Sequence, residues 1–332
     1  MRKEWIARSV FLVLLAAAIT VPVVAWQARS RGVVIHARMA ETGGWTPENL
    51  TVEVGQRLHL RLTSDDVMHS FAIGKSDEPP VDVIPGEITE VTLAFDEPGK
   101  YTFYCTRWCS VNHWRMRGTI EVTGPEAAAE AVEPPLYVTL GLDIDAEHHA
   151  DVIPERKPSA SLGAQIGAEI PAEYQSREYY RSHSPADLWK ALRAESSLSG
   201  LSDQEAWDLV AFVLQSNTTP QDLSAGQQFY ATNCAACHGE TGGGDGVFAG
   251  DLDQPKTGEH AEMQSGEMTA RPTDFTDAEH MLATSPARLQ GKILRGGMGT
   301  GMPYWGPIFT EEHTWALVAY LWTFQFELED GP

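Results

Sequence analysis

Apolar residues are spaced differently in three successive parts of the chain. The first part, from Ser9 to Trp26, contains no charged residue, and as a helix it would extend about 27 Å, close to the thickness of one hydrocarbon core. Between residues 33 and 123, apolar and polar residues alternate in short runs, which is the period of half-buried strands. From about residue 137 the period is that of amphipathic helices. The pattern predicts a multidomain chain with a single N-terminal transmembrane helix, an all-β domain and an all-α region.

Residues 1–32 are predicted to form the membrane anchor, and a cleaved signal peptide is the alternative. The apolar run is longer than the corresponding region of most signal peptides, and Val23-Val24-Ala25 is a weak cleavage site. Arginine residues lie on both sides of the run, so the distribution of positive charge does not fix its orientation.

Residues 33–124 are predicted to form a Greek-key β-barrel. The short strands are separated by turn sequences at Gly55, Pro85-Gly86 and Pro98-Gly99. Residues 125–136 include the segment EAAAEAVEPP, whose composition is typical of a linker between domains.

The helical region contains an internal repeat of two sequence blocks. Residues 184–188, Ser-Pro-Ala-Asp-Leu, are echoed by residues 285–289, Ser-Pro-Ala-Arg-Leu. Residues 207–212, Trp-Asp-Leu-Val-Ala-Phe, are echoed by residues 315–320, Trp-Ala-Leu-Val-Ala-Tyr. Since both blocks recur in the same order, we interpret them as a duplication. Chance similarity between amphipathic helices is the alternative.

The net charge argues against nucleic-acid binding, and the acidity itself has two alternative explanations. The 332 residues include 46 Asp and Glu against 24 Lys and Arg, a formal net charge of -22. A nucleic-acid-binding function is not expected, because phosphate contacts need clustered basic residues. The acidity is either that of a solvated surface or that of a docking face for a basic redox partner.

The four cysteines form two close pairs in a long chain, which indicates two metal or cofactor sites rather than a disulfide framework. Cys105, Cys109, His113 and Met116 follow one another in the spacing C-x3-C-x3-H-x2-M. Thiolates, an imidazole and a thioether are soft ligands that suit copper. His69, in an earlier loop at the same pole of the predicted barrel, is a further candidate ligand. A structural zinc site is the alternative, but the usual C-x2-C spacing is absent and methionine is a poor zinc ligand.

Residues 33–123 resemble the CuA cupredoxin domain of subunit II of haem-copper oxidases. The resemblance rests on the cysteine segment, on Asp66–Phe71 and on Met116–Thr119. Many members of this family carry Glu where this chain has Arg107, but only the main-chain carbonyl of that residue is a ligand.

The resemblance implies a dinuclear copper centre that serves as an electron relay without bond chemistry. Its implied ligands are the bridging thiolates of Cys105 and Cys109, the imidazoles of His69 and His113, and the weak axial groups of Met116 and the Arg107 carbonyl.

The second cysteine pair lies in Cys234-Ala235-Ala236-Cys237-His238, the C-x-x-C-H signature of covalent haem attachment. Residues 220–328 resemble a class I cytochrome c. The resemblance implies thioethers at Cys234 and Cys237, His238 as the proximal ligand of one haem c, and Met302 as the distal ligand. Met298 is the rival distal ligand, but Pro303 gives Met302 the Met-Pro pair of the family. Such His/Met ligation favours electron transfer over oxygen binding.

Together these regions resemble subunit II of a caa-type cytochrome c oxidase with the single anchor of the ba-type branch. The resemblance implies an electron-entry subunit that passes electrons from an external donor through haem c and CuA to subunit I, where O2 is reduced, so no catalytic residue is expected on this chain. The implied partners are subunit I, other oxidase subunits and a donor such as a cytochrome c, a blue-copper protein or a quinol-cytochrome c reductase. We expect a bacterial cell membrane location with both cofactor domains on the periplasmic or extracellular side.

Two alternatives for the function and two for residues 137–219 stay open. The chain could instead be subunit II of a CuA-containing nitric oxide reductase, or a free-standing membrane-tethered electron carrier. Residues 137–219 are predicted to be a haemless cytochrome c-like remnant or spacer, because the four cysteines lie elsewhere and no methionine occurs between Met116 and Met263. A linker with two unrelated helices is the competing hypothesis for this segment.

Overall fold

The computed structural model describes residues 32–76, 78–110, 112–125, 133–252, 271–297 and 301–328. The chain divides into two compact units, residues 1–73 with 78–128 and residues 74–77 with 129–332. The predicted anchor lies outside the described residues, and no helix within them is sufficiently long and apolar to cross a membrane.

The first unit is a β-sandwich of nine strands within the described residues. In chain order they are β1 (Val33–Ala37), β2 (Trp45–Thr46), β3 (Asn49–Glu53), β4 (Leu58–Ser64), β5 (His69–Ile73), β6 (Val81–Val83), β7 (Thr89–Leu93), β8 (Gly99–Tyr104) and β9 (Arg117–Thr123). One sheet has the order β2-β1-β4-β7 and the other the order β3-β9-β8-β5-β6. The pairs β1/β4 and β3/β9 are parallel and the other pairs are antiparallel. The predicted β-domain is therefore present.

Alternation along the strands builds the core of this unit. Leu58, Leu60 and Leu62 are buried, while His59 between them is exposed. The core is closed by aromatic side chains: the Trp45 ring lies 5.8 Å from those of both Phe71 and Phe103.

Strand order in the second sheet brings the predicted copper ligands to one pole. The antiparallel pairing of β5 with β8 places the beginning of β5, His69, beside the end of β8, which leads into Cys105. The strand β9 also begins at this pole, since Arg117 pairs with Tyr104. His69 therefore opens a strand, whereas the sequence placed it in a loop.

The second unit is helical. Its helices are α1 (Leu136–Thr139), α2 (Ala160–Ile166), α3 (Arg177–Ser182), α4 (Pro185–Ala194), α5 (Asp203–Ser216), α6 (Pro220–Asn233), α7 (Ala235–His238), α8 (Ala249–Leu252), α9 (Ala278–Leu282), α10 (Pro286–Arg295) and α11 (Glu311–Leu321). The longer helices begin at hydroxyl N-caps, with a Pro in the first turn of α4, α6 and α10, because these residues satisfy or remove the unpaired N–H groups of a first turn.

Helices α6 and α11 cross in close contact at a glycine. A Cβ on Gly226 would overlap the carbonyl oxygen of Ala316 and lie 2.7 Å from Cβ of Tyr320. Only glycine allows the two backbones this separation. The crossing fixes the end of α6, from which the C-x-x-C-H segment continues.

Candidate metal centre and haem site

The predicted copper ligands converge at the pole of the β-unit. His69, Cys105 and Cys109 each offer one ligand atom, and these atoms all lie within 4.8 Å of one another. They are the only such group of three or more His, Cys, Asp and Glu side chains that the described residues contain. The sulfur of Met116 lies 3.3 Å from that of Cys109, and the carbonyl oxygen of Arg107 lies 3.4 Å from Cys105 Sγ.

The imidazoles of this cluster have nitrogens that a metal would satisfy. His113 is 2% exposed, and neither of its ring nitrogens has a hydrogen-bond partner; the same is true of Nδ1 of His69. A buried polar atom without a partner is costly, and two imidazoles beside two thiols and a thioether form a donor set that fits copper. The residues present therefore fit the group that the resemblance implies.

The pKa values of the two thiols are shifted in opposite directions. The pKa of Cys105 is lowered, mainly by the hydrogen bond from Cys109 and further by the imidazoles of His113 and His69. The same contact with Cys105, together with burial, raises the pKa of Cys109. Because a thiolate is the ligand form of cysteine, metal binding must displace the remaining proton.

Asp66 orients one of the imidazoles. Nε2 of His69 donates to Oδ1 of Asp66 at 2.7 Å, which leaves Nδ1 as the nitrogen available to a metal. The backbone N–H groups of Met39 and Val67 donate to the same carboxylate at 2.7 and 2.6 Å. Burial alone would raise the pKa of Asp66, but these three hydrogen bonds lower it. This role of Asp66 was not predicted from the sequence, in which its position three residues before His69 was the available signal.

Arg107 anchors the ligand loop through its side chain. Its guanidinium donates to both oxygens of Asp82 in β6 at 2.8 to 2.9 Å. Both side chains are about half-exposed, so the pair contributes little to stability, but a bidentate pair restricts geometry. It holds the residue whose carbonyl lies beside Cys105. This pair could not be predicted from the sequence, because nothing local connects Asp82 with Arg107.

The C-x-x-C-H segment forms the short helix α7. Nδ1 of His238 donates to the carbonyl oxygen of Thr273 at 3.1 Å, which leaves Nε2 for an axial bond to iron. The ring stacks on Phe275 with a centroid distance of 4.7 Å. Burial lowers the pKa of His238 against the opposing effect of the Thr273 carbonyl, so the imidazole is neutral, as a metal ligand must be.

The two cysteines of the C-x-x-C-H segment, Cys234 just before α7 and Cys237 within it, are partly buried free thiols. They form no disulfide. Burial raises the pKa of both, that of Cys234 to about 12 with a smaller contribution from Cys237. A redox-active C-x-x-C pair instead has a lowered pKa. The glycine-rich segment that follows wraps this turn, because the N–H groups of Gly244 and Gly246 donate to the carbonyls of His238 and Cys237.

The predicted distal ligand lies in the loop that follows α10. The carbonyl of Met302 accepts from the N–H of Gly297 at 3.1 Å. The rival ligand Met298 lies outside the described residues. The choice between these methionines stays a prediction.

Comparison with known proteins assigns a family to each cofactor region. Residues 38–123 match the family model described as cytochrome C oxidase subunit II, periplasmic domain. Residues 223–325 match the family model described as cytochrome c.

Curated proteins that are similar to part of this chain include cytochrome c oxidase subunit 2 of several organisms. Cytochrome c oxidase subunit 2 of Thermus thermophilus is 35% identical over 79 residues, which are 24% of this chain and 58% of that protein. For the same subunit from a second strain of that organism the identity is also 35% and the covered share 46%, so the chain spans about half the length of these curated relatives. Subunit 2 of Schizosaccharomyces pombe is 37% identical over 67 residues, 20% of this chain and 27% of that protein.

A solved structure is also similar to part of this chain. The periplasmic domain of subunit II of cytochrome oxidase from Bradyrhizobium japonicum is 27% identical, and the match covers 23% of this chain and 54% of that chain with a TM-score of 0.21.

The fold, the ligand cluster and the family matches together define a protein with a subunit II-type β-domain and a cytochrome c-type helical domain, an arrangement consistent with electron transfer. A domain of the subunit II type implies copper, and a cytochrome c domain implies haem. The chain is a fusion of a cytochrome c oxidase subunit II domain with a cytochrome c domain, which confirms the recognition made from the sequence.

Proposed function

We propose that this chain is the electron-entry subunit II of a haem-copper terminal oxidase. An external donor delivers electrons to the cytochrome c domain, from which they pass to the copper domain and on to subunit I for O2 reduction. The observation that carries the proposal is the cluster of His69, Cys105 and Cys109, with Met116 and the Arg107 carbonyl in contact with its thiols, at one pole of a subunit II-type domain. The same chain carries a C-x-x-C-H segment with an oriented histidine. Two bridging thiolates suit a dinuclear copper centre, which would exchange single electrons with little rearrangement.

The proposed location follows from the chemistry of the two sites. Copper loading and covalent haem attachment are processes of the extracytoplasmic side, so both domains face the periplasm or the extracellular medium. Residues 1–32 then anchor the chain in the bacterial cell membrane by one helix. Subunit I and other oxidase subunits are the proposed partners within the membrane.

Purification of the full chain from its native membrane tests the proposal. We expect a polytopic subunit I to co-purify and the complex to consume O2 with electrons that enter through haem c. A complex that consumes nitric oxide but not O2 would replace the proposal with its alternative, a CuA-containing nitric oxide reductase. A chain that purifies without any membrane partner would overturn both and favour a tethered electron carrier.

The net charge of -22 predicts how electron entry depends on salt. If the acidic surface guides a basic donor, the rate of haem reduction should fall steeply as ionic strength rises, because the screening length shortens to about 8 Å at physiological strength. Stopped-flow reduction between about 10 and 500 mM salt measures this, the range over which screening changes. An acidic donor serves as the control and should show the opposite slope. A rate that does not vary with salt would leave only the solvated-surface explanation.

We also infer that residues 160–216 form a second, haemless copy of the cytochrome c fold. Helix α2 crosses α5 at a glycine, as α6 crosses α11. A Cβ on Gly163 would lie 2.7 Å from the carbonyl carbon of Asp208 and 2.9 Å from Cβ of Phe212. In both pairs of helices the glycine therefore meets one residue and the residue four positions later.

The repeated sequence blocks put these two crossings at equivalent positions. Asp208 follows Trp207 of the first block and Ala316 follows Trp315 of the second. Each of these residues contributes the carbonyl that the crossing glycine contacts.

The N-cap residues of the helices also occupy equivalent positions in the two copies. Ser184 and Ser285 cap α4 and α10, and each is followed by Pro in the first turn. Ser202 and Thr310 cap α5 and α11 at the same distance before the repeated Trp. Between α2 and α3, however, the first copy has only residues 167–176, where the second copy carries the C-x-x-C-H segment. The part that would hold haem is therefore the part that the first copy lacks.

An experimental structure and haem counting test the duplication. Helices α2, α4 and α5 should superpose as a group on α6, α10 and α11, and peptide mapping of the mature chain should find haem only on the peptide that contains Cys234 and Cys237. Crossings of different hand, or a haem on residues 137–219, would contradict the inference and leave a linker with unrelated helices.

A further inference from the structure

Residues 136–150, which we call the brace, lie along helix α10. Gly291, in the middle of α10, is buried under them. A Cβ at Gly291 would lie 2.8 Å from Cδ1 of Tyr137 and 3.1 Å from Cγ2 of Ile144. Ile144 itself is 3% exposed. The brace therefore packs directly on the backbone of α10, at a distance that only glycine permits.

Polar contacts fix the brace to the last turn of α10. Asp145 accepts hydrogen bonds from Nζ of Lys292 and from both terminal nitrogens of Arg295, each at 2.6 Å. Arg295 and then Lys292 lower the pKa of Asp145, so the carboxylate is ionised at neutral pH. These charged side chains are partly exposed, so the ion pairs fix the position of the brace more than they stabilise the fold.

Contacts at the other end of the brace reach α9 and the residue before the N-cap of α10. Nε2 of His148 is hydrogen-bonded to Oγ1 of Thr284 at 2.5 Å. The N–H of Ala150 donates to the carbonyl of Glu279 at 2.9 Å. Nη1 of Arg288, in the first turn of α10, donates to the carbonyl of Ala146 at 3.4 Å, so the brace contacts α10 from its first turn to its last.

The last turn of α10 also holds the loop that follows it and contains Met302. The N–H groups of Trp305 and Gly306 donate to the carbonyls of Ile293 and Leu294 at 3.1 and 3.2 Å. Gly296 has a φ of 71°, and a Cβ there would lie 2.6 Å from the carbonyl carbon of Pro303. The backbone around Met302-Pro303 thus takes its position from the end of α10.

We propose that the brace is a positioning element for the distal methionine of haem c, with Asp145 and Ile144 as its positioning residues. By holding the last turn of α10, the brace keeps the following loop at the distance that the methionine–iron bond requires. The brace lies outside residues 223–325, which match the cytochrome c family, so it is an addition to that domain. The proposal rests on the proposed haem function.

The test uses the full haem-loaded chain and the binding of added imidazole, which competes with the methionine for ferric iron. Asp145→Asn removes the charge that pairs with Lys292 and Arg295. Gly291→Ala forces the brace away from α10, although alanine is the better helix former. We expect each variant to bind imidazole about tenfold more tightly, the lower range of effects for residues that orient metal ligands, and to weaken the absorption band of methionine-ligated ferric haem.

Asp151→Asn is the matched control. Asp151 pairs with Lys190 of α4 at 2.9 Å and should leave imidazole affinity unchanged when it is replaced. Variants that lower thermal stability without changing imidazole affinity would overturn the proposal and give the brace a purely structural role. If Gly291→Ala does not fold, Asp145→Asn decides by the same criterion. A wild-type chain that holds no haem would instead refute the proposed function.

Discussion

Replacing Cys105 or Cys109 by serine is expected to abolish the dinuclear copper centre. Each thiolate would bridge both metals, so one substitution removes a ligand from each copper and puts a harder oxygen in its place. Copper content per chain should fall from two ions to one or none, and the purple mixed-valence absorption should disappear. Metal analysis and visible spectroscopy of the purified, aerobically loaded protein measure both effects.

Met116→Leu is the matched control for these variants. Its sulfur lies 3.3 Å from Cys109 Sγ, yet the resemblance makes it only a weak axial ligand. It should keep both copper ions and the absorption while it shifts the reduction potential. One copper per wild-type chain, or a stable zinc ion in the site, would contradict the dinuclear assignment. A Cys109→Ser protein with unchanged copper and spectrum would do so as well.

The copper ligands could be predicted from the sequence because most of them lie in one short segment. Cys105, Cys109, His113 and Met116 fall on a single loop between two strands, so their spacing alone limits how far apart they can be. His69 needed one further step, the placement of two strand ends at the same pole. Antiparallel pairing of β5 with β8 provides that step.

Contacts between distant segments could not be predicted in this way. Asp82 and Arg107 share no local pattern, and their pairing depends on β6 lying at the edge of the sheet beside the ligand loop. The pairing of Asp145 with Arg295 depends on a path of the chain that no short sequence pattern encodes. Such pairs form where strand order and helix packing place them, and periodicity carries no information about either.

The repeated sequence blocks suggest a duplication, but only the fold shows whether the two copies pack in the same way. The blocks at Trp207 and Trp315 suggested a duplication, but two amphipathic helices can be similar by chance. Gly163 and Gly226 lie in short similar segments, Ser-Leu-Gly-Ala-Gln and Ser-Ala-Gly-Gln-Gln, which are too short to establish a relation by themselves. Only the helix crossings show that each glycine meets the residue that follows the repeated Trp. The two copies share a physical constraint, the close approach of two backbones at a glycine.

Met302→Leu is expected to lower the reduction potential of haem c and to open one axial position. A thioether ligand raises the potential of a His-ligated haem, and leucine cannot replace it. We expect a fall on the order of 100 mV, within the range of about 0.8 V over which axial ligands set haem potentials. The ferrous protein should also bind carbon monoxide, which the wild type excludes. Potentiometric titration and carbon monoxide difference spectra measure the two effects.

Met298→Leu is the control, because it removes the other methionine of the same loop. It should leave the potential and carbon monoxide binding unchanged, and the reverse result would make Met298 the ligand. The brace variants should act in the same direction as Met302→Leu but more weakly, since they displace the loop without removing its sulfur. If Asp145→Asn has no further effect on imidazole affinity in the Met302→Leu protein, the brace acts through the methionine. An equal effect in both backgrounds would mean that the brace changes the haem pocket by another route.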